Sequence, residues 1–276
     1  MNPRTKPSVL RFLEVFQESG RALIALSGGV DSAVLLALAG RALGQQNVLA
    51  VTTFSAAVPI AERVAARNVA RFVGIDHHEV ETSELENLEY RENTGRRCYH
   101  CRVEMFRTLR RIANERNFGT VAYGAIVDDL GDDRPGMQAA EQLGIRAPLI
   151  EAGFNKREVR AIAHDLGLPV SDKPAAACLA SRIPVGTEVT QERLSQVEVA
   201  EIAVGRLGFR QFRVRHHGDV ARLEFDAEGN RLLADPELRR RLAADVRAAG
   251  FRFVTVDLEG YRSGSLNLLT PVAGGD

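Results

Sequence analysis

The sequence has little lysine, few cysteines and no net charge. Of its 36 basic residues only Lys6, Lys156 and Lys173 are lysines, a bias that genomic base composition explains without any function. Lys+Arg and Asp+Glu both number 36, so no global field recruits nucleic acid or an anionic membrane, although local basic patches remain open. No uninterrupted apolar run approaches the roughly 18–20 residues of a membrane span. The stretch from Met1 to Pro7 leads into an amphipathic segment rather than an apolar signal core. These features predict a cytoplasmic protein with no membrane partner. Its three cysteines, Cys98, Cys101 and Cys178, are an odd number for a reducing compartment, which argues against a disulfide framework and for thiol chemistry or metal ligation. With 276 residues, 45% hydrophobic and 26% charged, the chain is neither a disordered tail, a collagen nor a coiled-coil rod, and its length suits two domains.

Apolar residues recur at helical spacing from Val9 to Phe16, and Ala22 to Leu26 is a continuous apolar run of the kind that forms a strand buried on both faces. A helix is predicted from Asp31 to about Leu43, a strand over Val48–Phe54, a helix over Ile60–Val73 and a strand over His77–Glu81. Val103–Asn117 reads as helix, Thr120–Gly124 and Arg146–Leu149 as strands, and Pro135–Leu143 and Lys156–Leu166 as helices. This alternation is the signature of an α/β domain, a parallel sheet with helices on both faces, expected over residues 1–175. Beyond a loop rich in Ala and Pro the pattern changes. A helix over Thr190–Leu207, strands over Phe209–Arg215 and Val220–Phe225, a helix over Pro236–Ala249 and a strand over Phe251–Leu258 predict a smaller α+β domain over residues 176–276. His216 and His217 fall in the turn between its first two strands and read as surface residues.

The first strand breaks into Ser27-Gly28-Gly29-Val30-Asp31-Ser32 at the start of a helix. Two glycines let backbone approach a ligand, the helix N-terminus offers unpaired N–H groups to an anion, and the serines add hydroxyls. The spacing is neither that of a Walker A loop nor of a dinucleotide fold. The string resembles the PP-loop of the ATP pyrophosphatases, which include GMP synthetases, NAD synthetases and tRNA thiolases. That resemblance implies that ATP is split between its α and β phosphates, with Ser27, Gly28, Gly29, Asp31 and Ser32 holding the phosphates and Asp31 organising the loop or Mg²⁺. Lys156-Arg157-Glu158-Val159-Arg160 resembles a further segment of the superfamily, which makes Lys156 a nucleotide-site residue or else a solvated residue in a first helical turn.

A narrower resemblance rests on Asp172-Lys173-Pro174-Ala175-Ala176-Ala177-Cys178-Leu179-Ala180-Ser181-Arg182-Ile183-Pro184, on Asp128 to Gly136, and on Glu259 to Gly264. These segments are similar to LarE-type ATP-dependent sulfurtransferases, which make the thiocarboxylates of the nickel-pincer nucleotide of lactate racemase. The sequence departs from that pattern at Ala125-Ile126, where relatives often carry Thr-Asn. The implied substrate is pyridinium-3,5-biscarboxylic acid mononucleotide, adenylated by ATP and then thiolated, with sulfide or a sulfur-donor protein as source and a homo-oligomer as the expected assembly. A PP-loop tRNA thiolase is the rival reading, and the neutral charge weighs against nucleic acid.

The family has two sulfur chemistries. In one, a cysteine matching Cys178 gives up its own sulfur; in the other, three cysteines hold a [4Fe-4S] cluster with one open iron. Cys98-Tyr99-His100-Cys101 is a C-x-x-C pair suited to one metal centre, and with Cys178 it supplies three thiolates. The cluster reading with Cys98, Cys101 and Cys178 as ligands is therefore preferred. A zinc site completed by histidine, a redox pair, and a sacrificial Cys178 remain alternatives.

Arg206, Arg210, Arg213, Arg215 and Arg222 lie in a stretch whose only acid is Asp219. Strand alternation puts Arg213 and Arg215 on one face about 7 Å apart, close enough to clamp one phosphate. A solvated face is the alternative. The family resemblance implies that Arg182, Arg213, Arg215 and Arg262 bind the substrate, with Cys178 and Asp31 as the catalytic residues.

Overall fold

The computed structural model describes residues 6–130, 135–174 and 176–262. Along the chain run α1 (Pro7–Gln17), β1 (Ala22–Ala25), α2 (Val30–Leu43), β2 (Val48–Phe54), α3 (Ile60–Val73), β3 (Asp76–Glu81), α4 (Leu88–Arg91), α5 (Arg97–Glu115) and β4 (Thr120–Ala122). Then follow α6 (Pro135–Gln142), α7 (Pro148–Glu151), α8 (Lys156–Asp165), α9 (Gln191–Arg206), β5 (Phe212–His217), β6 (Val220–Phe225), α10 (Ala227–Leu232), α11 (Pro236–Ala248) and β7 (Phe253–Val256). They form two compact units, residues 1–84 with 98–176, and residues 85–97 with 177–276. The segment 85–97, which precedes the C-x-x-C pair in sequence, thus clusters with the C-terminal part of the chain rather than with the residues on either side of it.

In the first unit the four strands pair in parallel in the order β3-β2-β1-β4. Alternate residues of β1 enter different cores. Ala22 and Ile24 pack with Phe12 and Phe16 of α1, Val34 and Leu38 of α2 and Ile162 of α8. Leu23 packs on the opposite face with Phe106, Leu109 and Ile112 of α5 and Ala139 of α6. Both faces of β1 are covered, which is why it reads as an unbroken apolar run. α8 starts on a reciprocal cap: Asn155 accepts from the Glu158 N–H at 2.9 Å, and Glu158 accepts from the Asn155 N–H at 3.2 Å.

In the second unit β5 and β6 are antiparallel and β6 and β7 parallel, in the order β5-β6-β7. Asp226 and Asp235 cap α10 and α11 by accepting from Gly229 N–H and Glu237 N–H. Asn93 ties the segment 85–97 into this unit. It is fully buried, has φ of 53°, and its amide donates to the carbonyls of Pro184 at 2.7 Å and Thr187 at 2.9 Å. Backbone bonds from Gly186 N–H to Asn93 O and from Val189 N–H to Arg91 O complete the tie.

The structure corrects four local expectations. The C-x-x-C pair lies within the first turns of α5, not in a loop before a helix starting at Val103, because nothing between Arg97 and Val103 breaks a helix. Arg146–Leu149 is no strand: it makes one bridge to Ala122, and Pro148 then opens the helical turn α7. His216 and His217 belong to β5, and Gly218-Asp219 alone makes the turn. His216 is buried rather than on the surface, bonded to Gln196 Oε1 at 3.2 Å and packed against Phe251. No helix among the described residues is long and apolar enough to cross a membrane.

Candidate active site

The loop from Ser27 to Ser32 leaves the carboxyl end of β1, and its peptide groups are fixed one by one. Thr52 Oγ1, fully inside the sheet, donates to Leu26 O at 2.6 Å and accepts from His77 Nε2 at 2.8 Å. A hydroxyl has one proton, and the Leu26 carbonyl can only accept, so His77 is the donor. Burial lowers the His77 pKa, with Glu79 opposing and Arg67 and His78 adding, which favours this neutral ring. Ser32, buried at the start of α2, accepts from Ser27 N–H at 3.2 Å, lies 3.1 Å from Ser27 Oγ and donates to Gly29 O at 3.1 Å.

Two glycines permit this packing. Gly28 has φ of +79°, and a Cβ there would stand 2.3 Å from the Glu62 carbonyl oxygen at the start of α3. A Cβ on Gly124, just after β4, would stand 2.7 Å from Ser32 N. Ala125 and Ile126 are both buried apolar residues, one in each of the two cores.

Two of the three lysines converge on the loop. Lys156, the first residue of α8, places Nζ 2.8 and 2.7 Å from the two carboxylate oxygens of Asp31. Its N–H donates to Asp128 Oδ2 at 2.9 Å. Lys173 donates to Gly28 O at 3.0 Å and to Glu62 Oε2 at 2.7 Å. Sequence reasoning missed Lys173 and Glu62. The scarcity of lysine in an arginine-rich chain was the available signal. Parts of two recognition segments, Gly131 to Arg134 and Ser263 to Gly264, together with Ala175, lie outside the described residues.

Cys98 and Cys101, three residues apart on α5, share one helical face; Cys98 is exposed and Cys101 half-buried. Cys101 Sγ is 3.7 Å from Glu84 Oε1, and Glu84 is buried. Cys178 is exposed in the other unit, where it precedes the 3₁₀ turn Leu179–Arg182. Among the described residues no group of three or more His, Cys, Asp or Glu is placed to hold a metal ion. Two thiols three residues apart on one helix are soft donors, the chemistry that suits a soft metal centre.

Arg182 is 3% exposed and grips Glu201 of α9 through Nε at 2.9 Å and Nη2 at 3.0 Å. Its Nη1 donates to the carbonyls of Ala177 at 2.7 Å and Cys178 at 2.9 Å, so it fixes the backbone that carries the thiol. Arg215, 5% exposed, pairs with the fully buried Glu224 at 2.8 Å and donates to Ser181 O at 3.1 Å. Arg213 is half-buried over the Tyr261 ring, 5.0 Å from its centroid, and donates to Phe212 O at 2.6 Å. Burial, then the charges of Arg182 and Arg215, lower its pKa, while Tyr261 and Glu201 raise it. Arg262 is paired with Glu259 and Arg222 with Glu224 and Asp257; Arg206 and Arg210 are exposed. Arg182, Arg213 and Arg215 therefore come together. Their acidic partners Glu201 and Glu224 lie outside the arginine stretch, which is why the sequence count of one acid did not reveal them.

A family model described as asparagine synthase matches residues 17–99, the stretch that carries the loop. An uncharacterised protein of Synechocystis sp. is 43% identical over 92% of this chain and 94% of its own length. The pyridinium-3,5-bisthiocarboxylic acid mononucleotide synthase of Lactiplantibacillus plantarum is 36% identical over 90% of this chain and 89% of its own. The tRNA-specific 2-thiouridylase of Azorhizobium caulinodans is 30% identical, but over 56% of this chain and 49% of its own. With the loop on a parallel sheet and this similarity along nearly its whole length, the chain belongs to the LarE-type family of ATP-dependent sulfurtransferases, the pyridinium-3,5-bisthiocarboxylic acid mononucleotide synthases.

Proposed function

We propose that the chain adenylates a carboxylate of pyridinium-3,5-biscarboxylic acid mononucleotide and converts it to a thiocarboxylate, in the biosynthesis of the nickel-pincer nucleotide of lactate racemase. The loop geometry, with Lys156 drawn onto Asp31, carries the reading. Carboxylate oxygen attacks the α-phosphorus of ATP and pyrophosphate leaves. Ser27, Gly28, Gly29 and Ser32 offer N–H and hydroxyl donors to the leaving phosphates. Asp31 is the residue that would hold Mg²⁺, whose charge offsets that developing on pyrophosphate. Lys156 then moves its charge from Asp31 to phosphate. Sulfur next attacks the acyl carbon and AMP departs. In the second unit the half-buried Arg213 receives the mononucleotide phosphate together with Arg215, and Arg182 orients the Cys178 backbone. Arg262 adds a further cation to the substrate. The protein works in the cytoplasm as a homo-oligomer.

Cys98, Cys101 and Cys178 are the residues that would hold a [4Fe-4S] cluster, which supplies an open iron to carry sulfide delivered as such or by a donor protein. The count and softness of the three thiols support this assignment. A second reading, with Cys178 itself as sulfur donor, is favoured by the exposure of that thiol and by the firm hold of Arg182 on its carbonyl. One experiment separates them. Protein reconstituted without oxygen and given ATP, substrate and sulfide should be brown and turn over repeatedly, releasing AMP and pyrophosphate. Any one Cys→Ala change should bleach it. ADP as the main product would overturn the adenylation. Loss of activity in Cys178→Ala alone, with Cys178 of spent enzyme converted to dehydroalanine, would establish the sacrificial route.

A further inference from the structure

Resting on the adenylation reading above, we infer that Lys173 is a positioning residue of the phosphate loop: it pins the Gly28 carbonyl and thereby aims the Gly29 N–H at the pyrophosphate. In a trans peptide the C=O and N–H of one plane point in opposite directions. Lys173 Nζ holds Gly28 O at 3.0 Å, so the N–H of Gly29, in the same plane, faces away from the lysine. It donates to Ser27 Oγ at 3.3 Å, and so lies on the side of the loop where the Ser27 and Ser32 hydroxyls meet. Gly28, at φ of +79°, has no side chain to hold the plane, and glycine populates both signs of φ with ease. Lys173 on the Gly28 carbonyl and Ser27 Oγ on the Gly29 N–H hold the two ends of this plane, and the lysine is the clamp from outside the loop.

The clamp is itself held. Glu62 Oε2 lies 2.7 Å from the same ammonium, with side-chain exposures of 22% for Lys173 and 14% for Glu62. Glu62 stands in the first turn of α3, and the carbonyl of that residue is the one a Gly28 Cβ would strike. One residue thus blocks the far side of the loop with its backbone and anchors the clamp with its carboxylate. Lys156 works at the other end, on the Asp31 side chain rather than on backbone. The two lysines divide the loop between them, and only Lys173 controls the direction of a peptide N–H.

Inorganic pyrophosphate and AMP are the probes, their affinities measured by calorimetry on the full chain. Lys173→Met should weaken pyrophosphate about tenfold, the worth of one hydrogen bond to a charged group, and leave AMP within about twofold. Lys173→Met also strands the Glu62 carboxylate, so Lys173→Met with Glu62→Gln is measured beside it. Persistence of the loss in the double variant supports a misdirected peptide; full recovery would mean that Glu62 merely repels the anion and would overturn the inference. Equal losses for AMP and pyrophosphate, or no loss, would overturn it as well. If Lys173→Met does not fold, Glu62→Gln alone decides: a pyrophosphate-specific loss of about threefold supports the clamp, and unchanged affinity rejects it. Wild-type protein that binds pyrophosphate yet never makes AMP would defeat the adenylation reading while leaving the clamp result readable.

Discussion

Asp31 and Arg215 are both ion-paired, yet their burial gives the pairs different meanings. Lys156 and Asp31 are 34% and 27% exposed, so their pair contributes about 1 kcal/mol or less to stability. Asp31→Ala should therefore melt near the wild-type temperature and yet release no substrate-dependent pyrophosphate, which calorimetry and a pyrophosphatase-coupled assay would establish together. Glu224, by contrast, is fully buried between Arg215 and Arg222. Removing Arg215 leaves a buried carboxylate with one arginine and should cost about 3 kcal/mol, the low end for breaking a buried pair. Arg213 is half-buried over the Tyr261 ring. Arg213→Ala should unfold at nearly the wild-type denaturant concentration and weaken the mononucleotide by about 1.5–3 kcal/mol. A denaturant titration that ranked the two variants the other way would contradict this division. The sequence made both arginines candidates, and burial separates the one that also holds a buried carboxylate from the one that is half-buried.

At the scale of the element, Glu79 fastens the edge strand β3 to α3. Arg67 contacts it at 2.7 and 2.6 Å and Arg63 at 2.9 Å. The Arg67 hydrogen bonds, against an opposing burial effect and with help from Arg63, lower the Glu79 pKa to about 2. A depressed carboxyl stabilises the fold above its unfolded pKa of about 4.3 and loses that contribution as pH falls through the folded value. Glu79→Gln should thus cost on the order of 1–2 kcal/mol at pH 7, and its deficit should shrink between about pH 4 and pH 2. Urea titrations of both proteins across that window would show it. The bounds of β2 and α3 were legible from their runs, and those of α2 nearly so, because Gly44 and Gly74 end the two helices and β2 opens on four apolar residues. The start of α5 was not: its first turns, Arg97-Cys98-Tyr99-His100-Cys101-Arg102, carry no apolar stripe and no capping residue to mark them. α10 escaped for a related reason, being a six-residue capped turn with Gly229 as its only buried residue.

For the whole molecule, the chain passes between its two compact units three times, after residues 84, 97 and 176. Composition gave no sign of this, since the segment 85–97 is polar and its attachment runs through backbone carbonyls that any sequence would have. Asn93 was the one readable trace, an asparagine suited to positive φ. Asn93→Ala should cost roughly 3 kcal/mol, from stranded carbonyls at Pro184 and Thr187 and from the left-handed backbone. Circular dichroism melts would measure it. A fragment of residues 177–276 should fold poorly by itself and gain structure when residues 85–97 are supplied as a peptide or fused through a linker. Independent folding of the shorter fragment would count against that tie.

Synthesis meets the same feature as a delay. A ribosome adds about 5–20 residues each second, and some ninety residues separate Asn93 from the Pro184 and Thr187 carbonyls it will bind. For roughly 4 to 20 seconds the nascent segment 85–97 is out of the tunnel with no native partner yet made. The parallel sheet gains its last strand, β4, within that interval, so the first unit can complete its sheet while the segment still waits for its partners. The wait spans the synthesis of the C-x-x-C pair and ends only after that of Cys178.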